Sequence, residues 1–88
     1  MWTVKLSKQV DDFLESLTGK YRSQVENALD DIAVDPYIGK QLLGELKGYW
    51  SLRSGDYRLI YLIKRTEIVV EVLRLQHRKE VYERLRRR

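Results

Sequence analysis

Cysteine is missing from the chain, and histidine occurs once, as His77. The first absence removes disulfides, thiolate metal sites and cysteine nucleophiles from consideration. The second rules out a multi-histidine metal centre, and neither a metal nor an organic cofactor is expected. No apolar run approaches the roughly 20 residues of a membrane-crossing helix. The opening Met1-Trp2-Thr3-Val4-Lys5-Leu6 has no continuous apolar segment of the kind a secretory signal carries. The expectation is a cytoplasmic protein with no membrane partner.

What is present is charge. Of 88 residues, 34% are charged and 43% hydrophobic, the balance of a globular chain rather than a disordered tail. That length supports one core, so a single domain over 1–88 is expected. The net charge of +4 is unevenly placed. Residues 1–46 hold 5 Lys/Arg and 8 Asp/Glu, net −3, whereas residues 47–88 hold 12 and 5, net +7. A basic half of this kind faces a polyanion or an acidic partner, unless it is only a solvated surface.

Hydrophobic spacing divides the chain at nearly the same place. Trp2, Val4 and Leu6 alternate with polar residues, a short strand. Ser7 then stands as a helix N-cap, followed by Asp11 and Asp12 in the first turns. Val10, Phe13, Leu14 and Leu17 form one helical stripe, and Tyr21, Val25, Ala28, Leu29 and Ile32 a second. The break at Thr18-Gly19 is too short for anything but an antiparallel helical hairpin. Asp35-Pro36 ends the second helix, because proline lacks an N–H and pushes the preceding residue out of the α region. Tyr37 to Leu46 reads as a connection. Three strands follow: Tyr49 to Arg53, Tyr57 to Lys64 after a turn at Ser54-Gly55-Asp56, and Glu67 to Leu75 after Arg65-Thr66. They predict an antiparallel meander. The middle strand has apolar residues on both faces, so the hairpin covers one face and the C-terminal segment or a partner covers part of the other. Val81, Tyr82 and Leu85 give a short C-terminal helix or a frayed tail. The expected fold is thus α+β, in the order strand, helical hairpin, three-stranded meander, short helix.

The run Leu52-Arg53-Ser54-Gly55-Asp56-Tyr57-Arg58-Leu59-Ile60-Tyr61 resembles the signature of the RelE/ParE toxin superfamily. Leu43-Gly44-Glu45-Leu46-Lys47-Gly48-Tyr49-Trp50 looks like that family's lead-in to the first meander strand, and His77-Arg78-Lys79-Glu80-Val81-Tyr82 like its closing segment. The resemblance covers nearly the whole chain. It implies a curved antiparallel sheet on two helices and a toxin of a type II toxin–antitoxin module, paired with a cognate antitoxin in a hetero-oligomer. RelE-type members cleave mRNA in the ribosomal A site without a metal; ParE-type members inhibit DNA gyrase. A third alternative is an inactive scaffold that only binds its antitoxin.

Metal-free RNA cleavage removes a proton from the ribose 2′-OH, stabilises a pentavalent phosphorane and protonates the departing 5′-oxygen. Guanidinium forks suit the phosphorane; a His, Tyr or Lys suits the proton transfers. The resemblance makes Arg58, Arg78, Tyr82 and His77 the candidate catalytic residues. Lys47, Tyr49, Arg53 and Arg74 are the candidate RNA contacts. Four of them have a plainer alternative. Arg58 pairs with Asp56 or Glu71, Arg53 is an edge charge, Tyr82 packs beside Val81 and Leu85, and His77 is structural. The chain departs from the family at one point. RelE-type members carry two lysines on the first meander strand, where this sequence holds Tyr49 and Ser51. Lys47 or Glu45 fills the general-base role if the loop folds inward.

Overall fold

Residues 1–79 are described by a computed structural model, and β1 (Thr3–Leu6) opens the chain as its alternation predicts. Ser7 follows as the N-cap of α1 (Lys8–Ser16). Its Oγ accepts from the Val10 N–H at 3.3 Å and donates to the Leu73 carbonyl at 2.9 Å, so one hydroxyl starts the helix and ties it to the sheet. The second helix, α2 (Gly19–Val34), stops at Asp35-Pro36. The Asp35 carboxylate accepts from the Tyr37 N–H at 3.0 Å and carries the chain into a single 3₁₀ turn.

The sheet has five strands in the order β1-β5-β4-β3-β2. They are β1, β2 (Lys40–Gln41), β3 (Trp50–Ser54), β4 (Tyr57–Lys64) and β5 (Val69–His77). β1 runs parallel to β5 and every other pair is antiparallel. The meander is therefore present, with a parallel strand on one edge and a two-residue strand on the other. β2 corrects the reading of Tyr37 to Leu46 as a plain connection. Two residues are too few for a period to register in sequence, and both are exposed. β5 also starts two residues later than predicted. Residues 65–68 form the turn, with Ile68 in the left-handed region at φ 55°, and the strand continues through His77.

α1 and α2 pack on one face of the sheet. Val10, Leu14, Val25, Ala28 and Ile32 meet Tyr57, Leu59, Tyr61, Val70, Val72 and Leu75 in one buried cluster. Burying side chains of this size stabilises by about 1.5–3 kcal/mol each before entropy is counted. Cross-strand register then fixes which residues are left for the other face. Ser54–Tyr57–His77, Leu52–Leu59–Leu75 and Trp50–Tyr61–Val72 are rows facing the helices. Between them lie Arg53–Arg58–Gln76 and Lys40–Ser51–Ile60–Arg74, facing away. Ile60 pairs with Arg74 and Tyr61 with Val72, which makes Leu73 the extra residue of a bulge in β5.

Past the end of β1 the Gln9 side chain takes over the role of a strand. Its Nε2 donates to the Leu75 carbonyl and its Oε1 accepts from the Leu75 N–H, both at 3.0 Å. No helix among the described residues is long and apolar enough to cross a membrane. The predicted C-terminal helix lies outside the described residues.

Candidate functional site

Arg53 and Arg58 are direct cross-strand partners beside the turn that closes the β3–β4 hairpin. Like charges placed opposite each other in a sheet are unfavourable, and among the described residues no acid forms an ion pair with either. Glu71, one of the two carboxylates the sequence offered to Arg58, is instead 2.6 Å from Lys64 Nζ and holds that ammonium above its usual pKa. Asp56 makes no ion pair with Arg58 either; its backbone carbonyl accepts from the Arg78 N–H at 2.6 Å. Arg58 is half-buried and Arg53 exposed. Arg74 stands on the same face, one row along and one strand over.

Beside the arginine pair lies a depression of about 250 Å³, lined by Gly39, Lys40, Ser51, Arg53 and Arg58 among others. Its far wall is held from beneath. Tyr61, fully buried, donates its hydroxyl to the Pro36 carbonyl at 2.7 Å. Burial pushes that phenol up to about 12, with the Gly39 backbone pulling the other way. Gly39 can be nothing larger. A Cβ there would lie 2.6 Å from the Ser51 carbonyl oxygen and closer still to the Tyr61 hydroxyl. The site is thus a concave, cationic patch on a rigid sheet, suited to phosphate oxygens.

The remaining candidates are distributed around this patch. His77 belongs to a row that faces the helices. Its ring meets Tyr57 edge-on with centroids 5.1 Å apart, and its Nδ1 accepts from the Lys79 N–H at 3.1 Å. The sheet therefore lies between the imidazole and Arg58. Arg78 follows directly, docked through its N–H on the β3–β4 turn at the Arg53–Arg58 end. Lys47 and Tyr49 border a 3₁₀ turn at Gly44–Leu46. Lys47 N–H donates to Gly44 and Tyr49 N–H to Leu46. Neither they nor Glu45 line the depression, so the loop does not fold inward over it. Tyr82 lies outside the described residues. Lys40 carries no signal in the sequence. Only its β2 pairing with Ser51 brings it to this face. Among the described residues no three His, Cys, Asp or Glu side chains form a group able to hold a metal ion.

Among the described residues the fold is thus two helices on one face of a five-stranded sheet, with a cationic patch on the other. The family model described as "ParE toxin of type II toxin-antitoxin system, parDE" matches residues 1–82, and the chain belongs to that family, within the RelE/ParE superfamily of type II toxins. It is 43% identical over 61 residues to Toxin RelG of Mycobacterium tuberculosis, across 68% of this chain and 70% of that protein. Its fold is similar to the toxin–antitoxin complex RelBE2 of the same organism (TM-score 0.78, 33% identity, 88% of this chain and 98% of that one). It is also similar to the archaeal RelE–RelB complex of Pyrococcus horikoshii OT3 (TM-score 0.71, 28% identity, 88% and 94%).

Proposed function

We propose that this toxin is a ribosome-dependent mRNA endoribonuclease that cleaves without a metal, by attack of a 2′-OH on the adjacent phosphate. The observation that carries this reading is the Arg53–Arg58 pair, two guanidinium groups set opposite each other with no ion pair to an acid among the described residues. Such a pair is relieved when an anion arrives, and a phosphorane gains more charge on its equatorial oxygens than the ground state has. Arg58, on the central strand, stabilises that charge. Arg53 and Arg74 hold flanking phosphates. Arg78 closes the site from the hairpin end, and Tyr82 stacks on an A-site base or assists proton transfer. Lys47 and Tyr49 meet RNA that leaves the depression over the loop. His77 ranks below the arginines, because its ring packs on Tyr57. With no strong base among the groups lining the depression, the ribosome supplies much of the rate by orienting the 2′-OH in line.

The partners in this reading are mRNA in the ribosomal A site and a cognate antitoxin, with which the toxin forms a hetero-oligomer. The related structures from M. tuberculosis and P. horikoshii are themselves toxin–antitoxin complexes. The antitoxin lays an acidic or amphipathic segment over the arginine face or displaces the C-terminal segment. A second reading, a chain without nuclease activity that only binds its antitoxin or instead inhibits gyrase, draws on Tyr49 and Ser51, which stand where RelE-type members carry lysines. Primer extension on mRNA in programmed ribosomes separates the two. The endoribonuclease gives cuts within the A-site codon that Arg58→Ala abolishes. Absence of cuts, together with gyrase-linked DNA breaks, would sink it.

A further inference from the structure

Ser51 leaves a gap in the cation face, and the strand beside it fills that gap. Ser51 pairs directly with Lys40 across β2 and β3, and directly opposed residues project from the same face of a sheet. The row Lys40–Ser51–Ile60–Arg74 crosses four strands, so a cation stands at each end with a serine and an isoleucine between them. Lys40 lines the same depression as Ser51, Arg53 and Arg58. Ile60 lies two strand spacings across from Lys40 and Arg58 two residues further along β4, so the Lys40 and Arg58 backbones are roughly 12 Å apart, within the combined reach of two long side chains.

We propose that Lys40 is a substrate-contacting residue that supplies the cation absent at Ser51. Its ammonium donates to a non-bridging oxygen of the phosphate gripped by Arg58. The inference rests on the endoribonuclease reading. Three observations favour Lys40 over the other lysines. It makes no ion pair with an acid among the described residues, whereas Lys64 is bound to Glu71 and Lys8 to Asp12. Its backbone is fixed, because Gly39 is seated against Tyr61 and the Ser51 carbonyl while Pro36 accepts the Tyr61 hydroxyl. Lys47, nearer in sequence to the missing positions, does not line the depression. A two-residue strand held this firmly presents its first side chain in a set direction, as a contact to a reacting group requires. Lys40 acts as a charge and leaves the proton transfers to other groups.

The test uses the full-length toxin on programmed ribosomes under single-turnover conditions, with Lys40→Met, Lys40→Arg and Arg58→Ala beside the wild type. Lys40→Met keeps the aliphatic stem, and the melting temperature of each variant reports folding. The expected result is a loss of about 10- to 100-fold for Lys40→Met, the size of one charge-assisted hydrogen bond, with most activity kept by Lys40→Arg. Binding of an RNA blocked by 2′-O-methylation should also lose about 0.7 of its logarithmic salt slope in Lys40→Met, a change that a merely structural role would not produce. If the wild type cuts, Arg58→Ala does not, and Lys40→Met cuts like the wild type with an unchanged slope, the Lys40 assignment falls alone. If the wild type makes no cut, the endoribonuclease reading fails, and this inference with it.

Discussion

Arg53 and Arg58 repel each other across β3 and β4, a cost of a few tenths of a kcal/mol at low salt. Removing one charge should therefore stabilise the fold while harming activity. Arg53→Gln is expected to raise the melting temperature slightly in low-salt buffer, an effect that fades as salt screens the pair, and to weaken RNA binding. A clear drop in melting temperature would mean that the arginine has a structural partner. Tyr61 behaves in the opposite way, since its hydroxyl is buried and bonded to Pro36. Tyr61→Phe leaves that carbonyl without its donor and should cost about 1–2 kcal/mol. The same phenol adds a pH limb. Its folded pKa of about 12 lies above the ordinary value of 10.0. Its contribution is therefore complete below pH 10 and lost as pH rises through 12, on the order of 2–3 kcal/mol in all. Denaturant unfolding between pH 9 and 12 should show this decline in the wild type and a flatter curve in Tyr61→Phe.

Among the elements, β1 and both helices were legible because each carries its period over several residues, β4 because an apolar-rich run stands between two turns, and Ser7 and Pro36 mark helix ends by chemistry that acts locally. β2 was not, since two exposed residues have no pattern and their pairing depends on Gly39 fitting against Tyr61, 22 positions away in the sequence. The site inherits the same division. Arg53, Arg58 and Arg74 were readable as candidates from motif and strand, but the opposing pair required register. Lys40 depended on β2, and the side of the sheet taken by His77 depended on β5 continuing past Leu75. Gln9 is a further case, a helix residue whose amide completes the edge of β5. Gln9→Ala strands the Leu75 N–H and carbonyl, with an expected cost of about 1–3 kcal/mol. Hydrogen exchange should show faster opening at Leu75 than at Val70, whose neighbours on β1 are unchanged. Equal exchange at the two amides would argue that water replaces the amide without loss.

At the level of the whole molecule, the charge imbalance read from sequence becomes a division of surfaces. The acidic residues Asp11, Asp12, Glu15, Glu26, Asp30 and Asp31 sit on the helices, and Lys40, Arg53, Arg58 and Arg74 on the opposite face of the sheet. Such a molecule approaches an anion in one orientation, and under the proposed function its association with ribosome-bound mRNA should slow steeply as salt rises. The central claim is that this arginine face, and not the histidine behind the sheet, carries the chemistry. Single-turnover cleavage on programmed ribosomes by Arg58→Ala and His77→Ala, each corrected for the folded fraction, tests it directly. The expected result is a loss of about 100-fold or more for Arg58→Ala, the scale of removing one transition-state donor, and a change of no more than a few-fold for His77→Ala. Near-normal cleavage by Arg58→Ala with loss in His77→Ala would contradict it.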